Sequence, residues 1–343
     1  MDGAPEVVRP KSRRFTRYKV VSDGAGWSLD WDARHVSQAL EGLGLKRSRL
    51  PSRKTVLYFT SRDHFLRFTP LLKFVPARTV IVDHFHGTPY DDPKYAKYFA
   101  AYKKHREKLF GIRITNTTIQ QFFEAEGLGE LSRILRIPVD TTIFNLSNAN
   151  KFTRADLGIG EDSAVLGSFQ KDGLGWGTGN EPKLEKGPDL LVSVITSLDK
   201  LIDNLHVLLT GPARGFVFNA LEASNVKVTW RKEIDHYDIP AHYRVLDAYL
   251  ITSRLEGGPK AALESLASGV PLVSTPVGQV TELGLTRCHG IVTTGLDIDE
   301  LIESVLEVLK DGGNPNCKKQ LADENNLAAF QLNLQRWLFD QRD

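Results

Sequence analysis

The stretch AYLITSRLEGGPKAALESLASGVPLVST, residues 248–275, decides the fold class. AYLITS is an apolar run of strand length, and PLVST at 271–275 is another. Between them PKAALESLAS fits a helix of about ten residues, with Pro259 at the first helical position and Gly269 just past the end. Strand, helix and strand in so short a space make the repeating unit of a covered parallel sheet. The loop Arg254–Gly258 leads from a strand's carboxyl end directly to a helix N-terminus. Backbone N–H groups and a partial positive charge at such an end attract anions. Gly257 and Gly258 let a ligand approach the backbone closely.

Two acids flank that site. Glu256 lies in the loop, and Glu264 lies about one and a half turns into the helix, where side chains lean back toward the N-terminus. Acids beside an anion site can accept hydrogen bonds from sugar hydroxyls. The arrangement suits a nucleotide sugar, with its diphosphate at the helix end, ribose on one acid and the transferred sugar on the other. Each acid also has an ordinary structural explanation: Glu256 as a helix-capping acid, Glu264 as part of a solvated face.

The same alternation extends both ways. YKVVSD (18–23), KTVLYFT (54–60), RTVIVD (78–83) and GIRITNT (111–117) read as strands, SRILRIPVD (132–140) as a weaker one, and a helix is expected over about 31–43. After a polar lapse at 141–160, a second series follows: AVLGSF (164–169), HVLLTG (206–211) and VKVTW (226–230), with helices at 188–202 and 298–312. The expected organisation is an α/β chain of two Rossmann-like domains, 1–150 and 151–320. Residues 321–343 would form a C-terminal helix returning toward the first domain. A ligand would then lie between the domains, at the carboxyl ends of the strands.

With 343 residues, 41% hydrophobic and 25% charged, the chain suits a soluble globular protein of two cores. It has no apolar run long enough to span a membrane and no secretory h-region. The net charge of +2 does not argue for nucleic acid. The basic residues Arg9, Lys11, Arg13, Arg14, Arg17 and Lys19 cluster without an acid among them, as a solvated arm or a contact for anionic lipid. Tyr95, Phe99, Tyr102 and Leu109 recur at helical spacing, as a core stripe or a membrane-surface face. Cys288 and Cys317 read as separate reduced thiols, which points to the cytoplasm and away from metal ligation.

Three further segments bear on chemistry. Lys186 immediately precedes Gly187-Pro188, a second helix start, so a cation and a dipole end coincide. The glycine-bearing loop 170–186 has the length of a lid. DGAGWSLD is not G-x-G-x-x-G, which leaves a dinucleotide oxidoreductase a poor reading.

Glu256 and Glu264 resemble the E-x7-E motif of the family 4 glycosyltransferases, retaining enzymes of the two-domain GT-B fold. SGVPLVSTPVGQVTEL, KLEKGPDLL, HVLLTGPA, RIPVDTTIF and the histidine–glycine segment VDHFHGTP are similar to further family segments over most of the chain. The resemblance implies that Glu264 binds ribose, while Glu256 contacts the 3- and 4-hydroxyls of the donor sugar and supports charge at the anomeric carbon. Gly257, Gly258, Pro259 and Lys260 would line the sugar, and Lys186 would neutralise the diphosphate. His86, with His84 as its competitor, would lie near the sugar and leaving group, and Gly24 and Gly26 would form the first-domain loop facing them. Two positions depart from the family: Ser168 stands where it has arginine, leaving Lys171 as the nearest cation, and Pro259 lacks an N–H that glycine supplies.

The expected activity is retaining transfer of a sugar from a nucleoside diphosphate sugar to a glycan, lipid-linked or small-molecule acceptor. No cofactor and no metal are expected, on the reading that the chain lacks a D-x-D motif and that Lys186 and the helix ends would stabilise the leaving diphosphate instead. No nucleic-acid partner is expected, and any contact with anionic membrane would be peripheral, at the inner face. A sugar-nucleotide 2-epimerase of the same fold and a non-catalytic sugar-nucleotide-binding partner of another transferase are the alternatives.

Overall fold

A computed structural model describes residues 14–22, 24, 28–146, 153–175, 177–312 and 315–340. Gly26 and the basic residues Arg9, Lys11 and Arg13 lie outside them, as do residues 147–152 within the expected domain junction.

The described chain forms two compact units. The first comprises the chain up to His84, Thr88–Leu135 and the chain from Ala328 onward; the second comprises Phe85–Gly87 and Arg136–Leu327. The first unit's strands are β1 (Arg17–Val21), β2 (Lys46–Arg47), β3 (Thr55–Phe59), β4 (Val80–Asp83), β5 (Leu109–Ile114) and β6 (Ser132–Ile134). They form one parallel sheet in the order β2-β1-β3-β4-β5-β6. Its helices are α1 (Ser28–Gly42), α2 (Arg62–Phe68), α3 (Ala96–Lys104) and α4 (Thr117–Ala125). β3 and β4 are buried at every position, as near-continuous apolar runs in covered parallel sheets must be.

The second unit repeats the plan with β7 (Ala164–Phe169), β8 (Leu205–Thr210), β9 (Lys227–Arg231), β10 (Ala248–Ile251), β11 (Leu272–Ser274) and β12 (Gly290–Val292). Its parallel order is β12-β11-β10-β7-β8-β9. The helices are α5 (Pro188–Leu198), α6 (Gly215–Ala223), α7 (Ile239–Tyr243), α8 (Lys260–Ala267), α9 (Ile298–Asp311) and α10 (Pro315–Glu324). A last helix, α11 (Leu327–Phe339), places Phe330, Leu334, Trp337 and Leu338 in one cluster with Phe15, Tyr18, Val36 and Leu40 of the first unit.

Strand order reverses at β7/β10 in the second sheet and at β1/β3 in the first. Crevices open at such switch points, beyond the carboxyl ends of the strands. The loops that leave β7 and β10 carry Lys171, Lys186 and Glu256; the loop that leaves β1 carries Gly24.

Two expectations are corrected and one alternative is decided. Cys288 and Cys317 are not separate thiols: they pair as a disulfide with Cα atoms 6.3 Å apart, brought together across the 29 positions that contain β12 and α9. The stripe Tyr95, Phe99, Tyr102 and Leu109 is buried, so of its two readings the core stripe holds, with Leu109 in β5 rather than on the helix. Pro259 is the N-cap of α8, extended at φ −62° and ψ 114°, and Lys260 is the first helical residue. No helix among the described residues is long and apolar enough to cross a membrane.

Candidate functional site

β10 is buried throughout, and the chain leaves it at Thr252 toward Glu256 and α8. The turn before α5, which carries Lys186, is stitched to this loop. The Arg254 and Leu255 N–H groups both donate to the Glu185 carbonyl, at 2.9 and 3.1 Å, and the Thr252 hydroxyl donates to the Gly187 carbonyl at 2.9 Å. Arg254 adds a bidentate pair to Asp189, with both contacts at 2.7 Å. Gly187 has φ +63°, and a Cβ there would stand 1.8 Å from the Thr252 carbonyl, so only glycine permits the stitch.

This places Lys186 against Glu256. The Lys186 Nζ and a Glu256 Oε form an ion pair whose side chains remain 22% and 11% exposed. The Ser253 hydroxyl donates to the same carboxylate oxygen at 3.4 Å. Gly257 follows, with Phe85 so close that a Cβ would meet its Cβ at 2.3 Å. His86 is partly buried next in sequence. His84, by contrast, is fully buried: its Nδ1 lies 3.1 Å from the Tyr102 hydroxyl, and rings of Phe99 and Phe123 pack on it. Of the two candidate histidines, His84 is therefore a core residue.

Glu264 sits on the exposed-to-buried border of α8 and accepts a hydrogen bond from the Tyr243 hydroxyl at 3.0 Å. Tyr243 is fully buried against Phe169 and Tyr249. Burial and the neighbouring Glu264 carboxylate raise its phenol far above the ordinary range, so it stays a donor. Lys171 is partly exposed at the start of the 170–186 loop, and desolvation together with the charge of Lys183 lowers its ammonium.

Sequence reading missed what stands at Ser168. Arg214, at the end of the GPAR turn, is fully buried and donates to both the Ser168 carbonyl and, at 3.3 Å, its hydroxyl. The same guanidinium pairs with buried Asp172 at 2.9 Å. Burial raises the Asp172 carboxyl, and Arg214 opposes that rise. The arginine three residues past the HVLLTG stretch was the available signal. The expectation that no D-x-D motif occurs is wrong: Asp30-Trp31-Asp32 and Asp297-Ile298-Asp299 both fit it, and Asp30 accepts from the Gly24 N–H at 3.0 Å while Asp297 caps α9 through the Glu300 N–H at 2.9 Å. In the VKVTW stretch, Trp230 of edge strand β9 donates its indole N–H to the Gly211 carbonyl at 2.8 Å.

Residues 181–325 match the family described as Glycosyl transferases group 1. That stretch contains Lys186, Glu256 and Glu264. The lipopolysaccharide core biosynthesis mannosyltransferase LpsB of Rhizobium meliloti is 29% identical over 136 residues, 37% of this chain and 39% of the relative. A GDP-mannose-dependent α-(1-6)-phosphatidylinositol monomannoside mannosyltransferase of Mycobacterium tuberculosis is 26% identical over 139 residues, 37% of this chain and 36% of the relative. The matched stretch thus spans little more than a third of these curated relatives. HepE from Anabaena, solved with UDP and glucose, superposes with a TM-score of 0.69 at 13% identity, over 94% of this chain and 98% of its own. The fold is GT-B.

Proposed function

We propose that this protein is a retaining glycosyltransferase that moves a sugar from a nucleoside diphosphate sugar to an acceptor hydroxyl, without a metal. The observation that carries the reading is the Lys186–Glu256 pair, partly exposed at a sheet switch point and close before the N-terminus of α8. Without ligand the two charges neutralise each other. An incoming donor replaces both halves: the diphosphate takes Lys186 and the α8 dipole, and the sugar hydroxyls take Glu256. As the glycosidic bond breaks, Lys186 stabilises the leaving diphosphate and the Glu256 carboxylate supports positive charge at the anomeric carbon. Glu264, steadied by Tyr243, holds the ribose. Gly257, Gly258, Pro259 and Lys260 line the sugar, Lys171 extends the cationic side, and His86 is the histidine beside the leaving group. Retention follows from attack on the face the diphosphate leaves.

The donor base is to be chosen among uracil, guanine and adenine. The mycobacterial relative is GDP-mannose-dependent by name, whereas HepE was solved with UDP. A thermal-shift series with UDP-, GDP- and ADP-sugars tests this: at 100 times its dissociation constant, the true donor stabilises by about 2.7 kcal/mol. Transfer to a glycan, lipid-linked or small-molecule acceptor, with the anomeric configuration kept, is the expected product. An epimerised nucleotide sugar formed without acceptor, or binding without turnover, would replace this reading with the epimerase or the non-catalytic partner. We place the reaction in the cytoplasm, with at most peripheral contact to anionic membrane. Support comes from the basic run Arg9–Lys19 and from exposed Leu71 and Phe74 beside Lys73. Flotation with anionic liposomes that fails at low salt would remove that contact.

A further inference from the structure

Outside the site, one cluster of reactive side chains stands apart: Cys288, His289 and Cys317, whose ligating atoms all lie within 4.8 Å of one another. Both cysteines are partly exposed, and His289 is buried. The histidine's orientation is fixed from one side. The Thr286 backbone N–H lies 3.0 Å from its Nδ1, and a backbone N–H can only donate. Nδ1 therefore accepts, and the ring proton sits on Nε2, 3.3 Å from the Cys317 sulfur. That geometry speaks against a metal, because Thr286 already uses the Nδ1 lone pair and Nε2 carries a proton. It favours instead a negative charge on Cys317. Cys317 is also the third residue of the ten-residue helix α10, where the helix dipole favours a thiolate.

The cluster joins two elements that support the site. The His289 carbonyl accepts from the Leu272 N–H at 3.0 Å, which seats this end on β11, the neighbour of β10. Cys317 belongs to α10, which packs on α8. The next residue, Lys318, is buried and donates to the Gly269 carbonyl, just past α8, at 3.1 Å and to the Gly312 carbonyl, just past α9, at 3.3 Å. Burial depresses its ammonium to about 8. α10 is thus held to the end of α8 by Lys318 and to the approach to β12 by the disulfide.

We propose that Cys288–Cys317 is a reversible redox site, with His289 as the positioning residue for the Cys317 thiolate, and that its state sets how firmly α10 braces α8. The second half rests on the reading of α8 as part of the donor site. Reduction by a thiol begins with attack of the external thiolate on the Cys288 sulfur. The S–S bond breaks, and Cys317 leaves as the thiolate beside the His289 N–H. A second thiolate then attacks the external sulfur of the mixed disulfide, releasing Cys288, which takes a proton. Overall, two external thiols are oxidised to one disulfide while the protein disulfide is reduced to two thiols.

The test uses the whole chain, oxidised and after treatment with dithiothreitol. Mass spectrometry after alkylation should find no modified cysteine before reduction and two afterwards, with Cys317 reacting faster. His289→Ala should narrow that difference. Amide hydrogen exchange in α8 and α10 should quicken on reduction, and UDP or GDP should bind about fivefold more weakly, the lower end of typical coupling between sites. The double variant Cys288→Ser/Cys317→Ser should match the reduced protein and ignore dithiothreitol. Equal exchange and equal affinity in both forms would overturn the coupling. Stoichiometric zinc in the reduced protein would overturn the redox site in favour of a metal. If neither form binds a nucleoside diphosphate, the donor reading fails, while alkylation and exchange still decide the redox proposal.

Discussion

In the first unit β4 ends in Asp83 and the chain continues to His84, and the core consumes both. Asp83 accepts from the Tyr58 hydroxyl at 2.7 Å and pairs with Arg113 at 3.4 Å, with both charged side chains 1% exposed. Burial pushes the Asp83 carboxyl up to about 7 even against the guanidinium. In the second unit a similar buried pair, Asp172–Arg214, lies past β7, but beyond it the chain presents Lys186 and Glu256 as a pair that solvent still reaches. A fully buried pair has no exchange partner and can only hold the fold. A partly exposed pair next to a helix start can trade its partner for a ligand of matching charge. Charges at strand ends therefore do not by themselves mark a site; their residual exposure separates the two uses.

The largest expected effect tests the closed pairs. Arg113→Ala and Arg214→Ala should each lower stability by about 3–5 kcal/mol in denaturant unfolding, since each leaves a buried carboxylate uncompensated. A loss under about 1 kcal/mol, the usual ceiling for exposed pairs, would erase the distinction. Asp83 also gives a pH test. Its folded value of about 7 lies above the unfolded value of about 3.9, so the stability it contributes is complete below pH 4 and is lost as pH rises toward 7. Asp83→Asn should flatten that part of the stability profile. An unchanged slope would mean that another group causes it.

Next in size is the open pair, where the effect should fall on catalysis. Glu256→Gln should lower kcat roughly a hundredfold, about 2.7 kcal/mol, and leave affinity for the free nucleotide nearly unchanged, since that ligand lacks the transferred sugar that Glu256 would contact. Lys186→Ala should weaken nucleoside diphosphate binding by about 1.5–3 kcal/mol and nucleoside binding hardly at all. Equal losses for diphosphate and nucleoside would remove Lys186 from the phosphate site. Unfolding at normal denaturant concentration in both variants would separate this pair from the buried ones.

The legible parts of this molecule are those written in neighbouring residues. Buried parallel strands announce themselves as apolar runs, and Gly257-Gly258-Pro259 announces a helix start within one residue of the true one. What could not be read depends on contacts across the sheet. Lys186 and Glu256 are 70 positions apart, and Arg214 reaches Ser168 over 46. Its place just past the HVLLTG strand is the one local hint for Arg214; its role shows only in the burial of its whole side chain beside Asp172. The cysteines misled for the same reason: their separation of 29 reveals nothing until α9 folds between them. The aromatic stripe over 95–109 left core and membrane face open, because periodicity shows that a face is apolar but not what covers it.

The smallest effect gives the finest test of the comparison, because Tyr243 belongs to the core while its hydroxyl reaches Glu264, a proposed site residue. Its ring packs on Phe169 and Tyr249, and its hydroxyl donates to Glu264 at 3.0 Å. Tyr243→Phe keeps the rings and removes only the donor. Glu264 is partly exposed, so water can replace the lost partner and stability should change little. The carboxylate, however, loses the contact that would hold it in place for the ribose under the proposed reading. A hydrogen bond of this kind contributes about 0.5–1.5 kcal/mol, so donor KM should rise roughly two- to tenfold, with kcat nearly constant. Affinity for the bare nucleoside should fall by the same factor, because ribose is present in it. That common shift distinguishes Tyr243 from Lys186, whose loss spares the nucleoside. If Tyr243→Phe instead lowers kcat and leaves nucleoside binding intact, Glu264 acts at the reacting sugar and its role must be exchanged with that of Glu256.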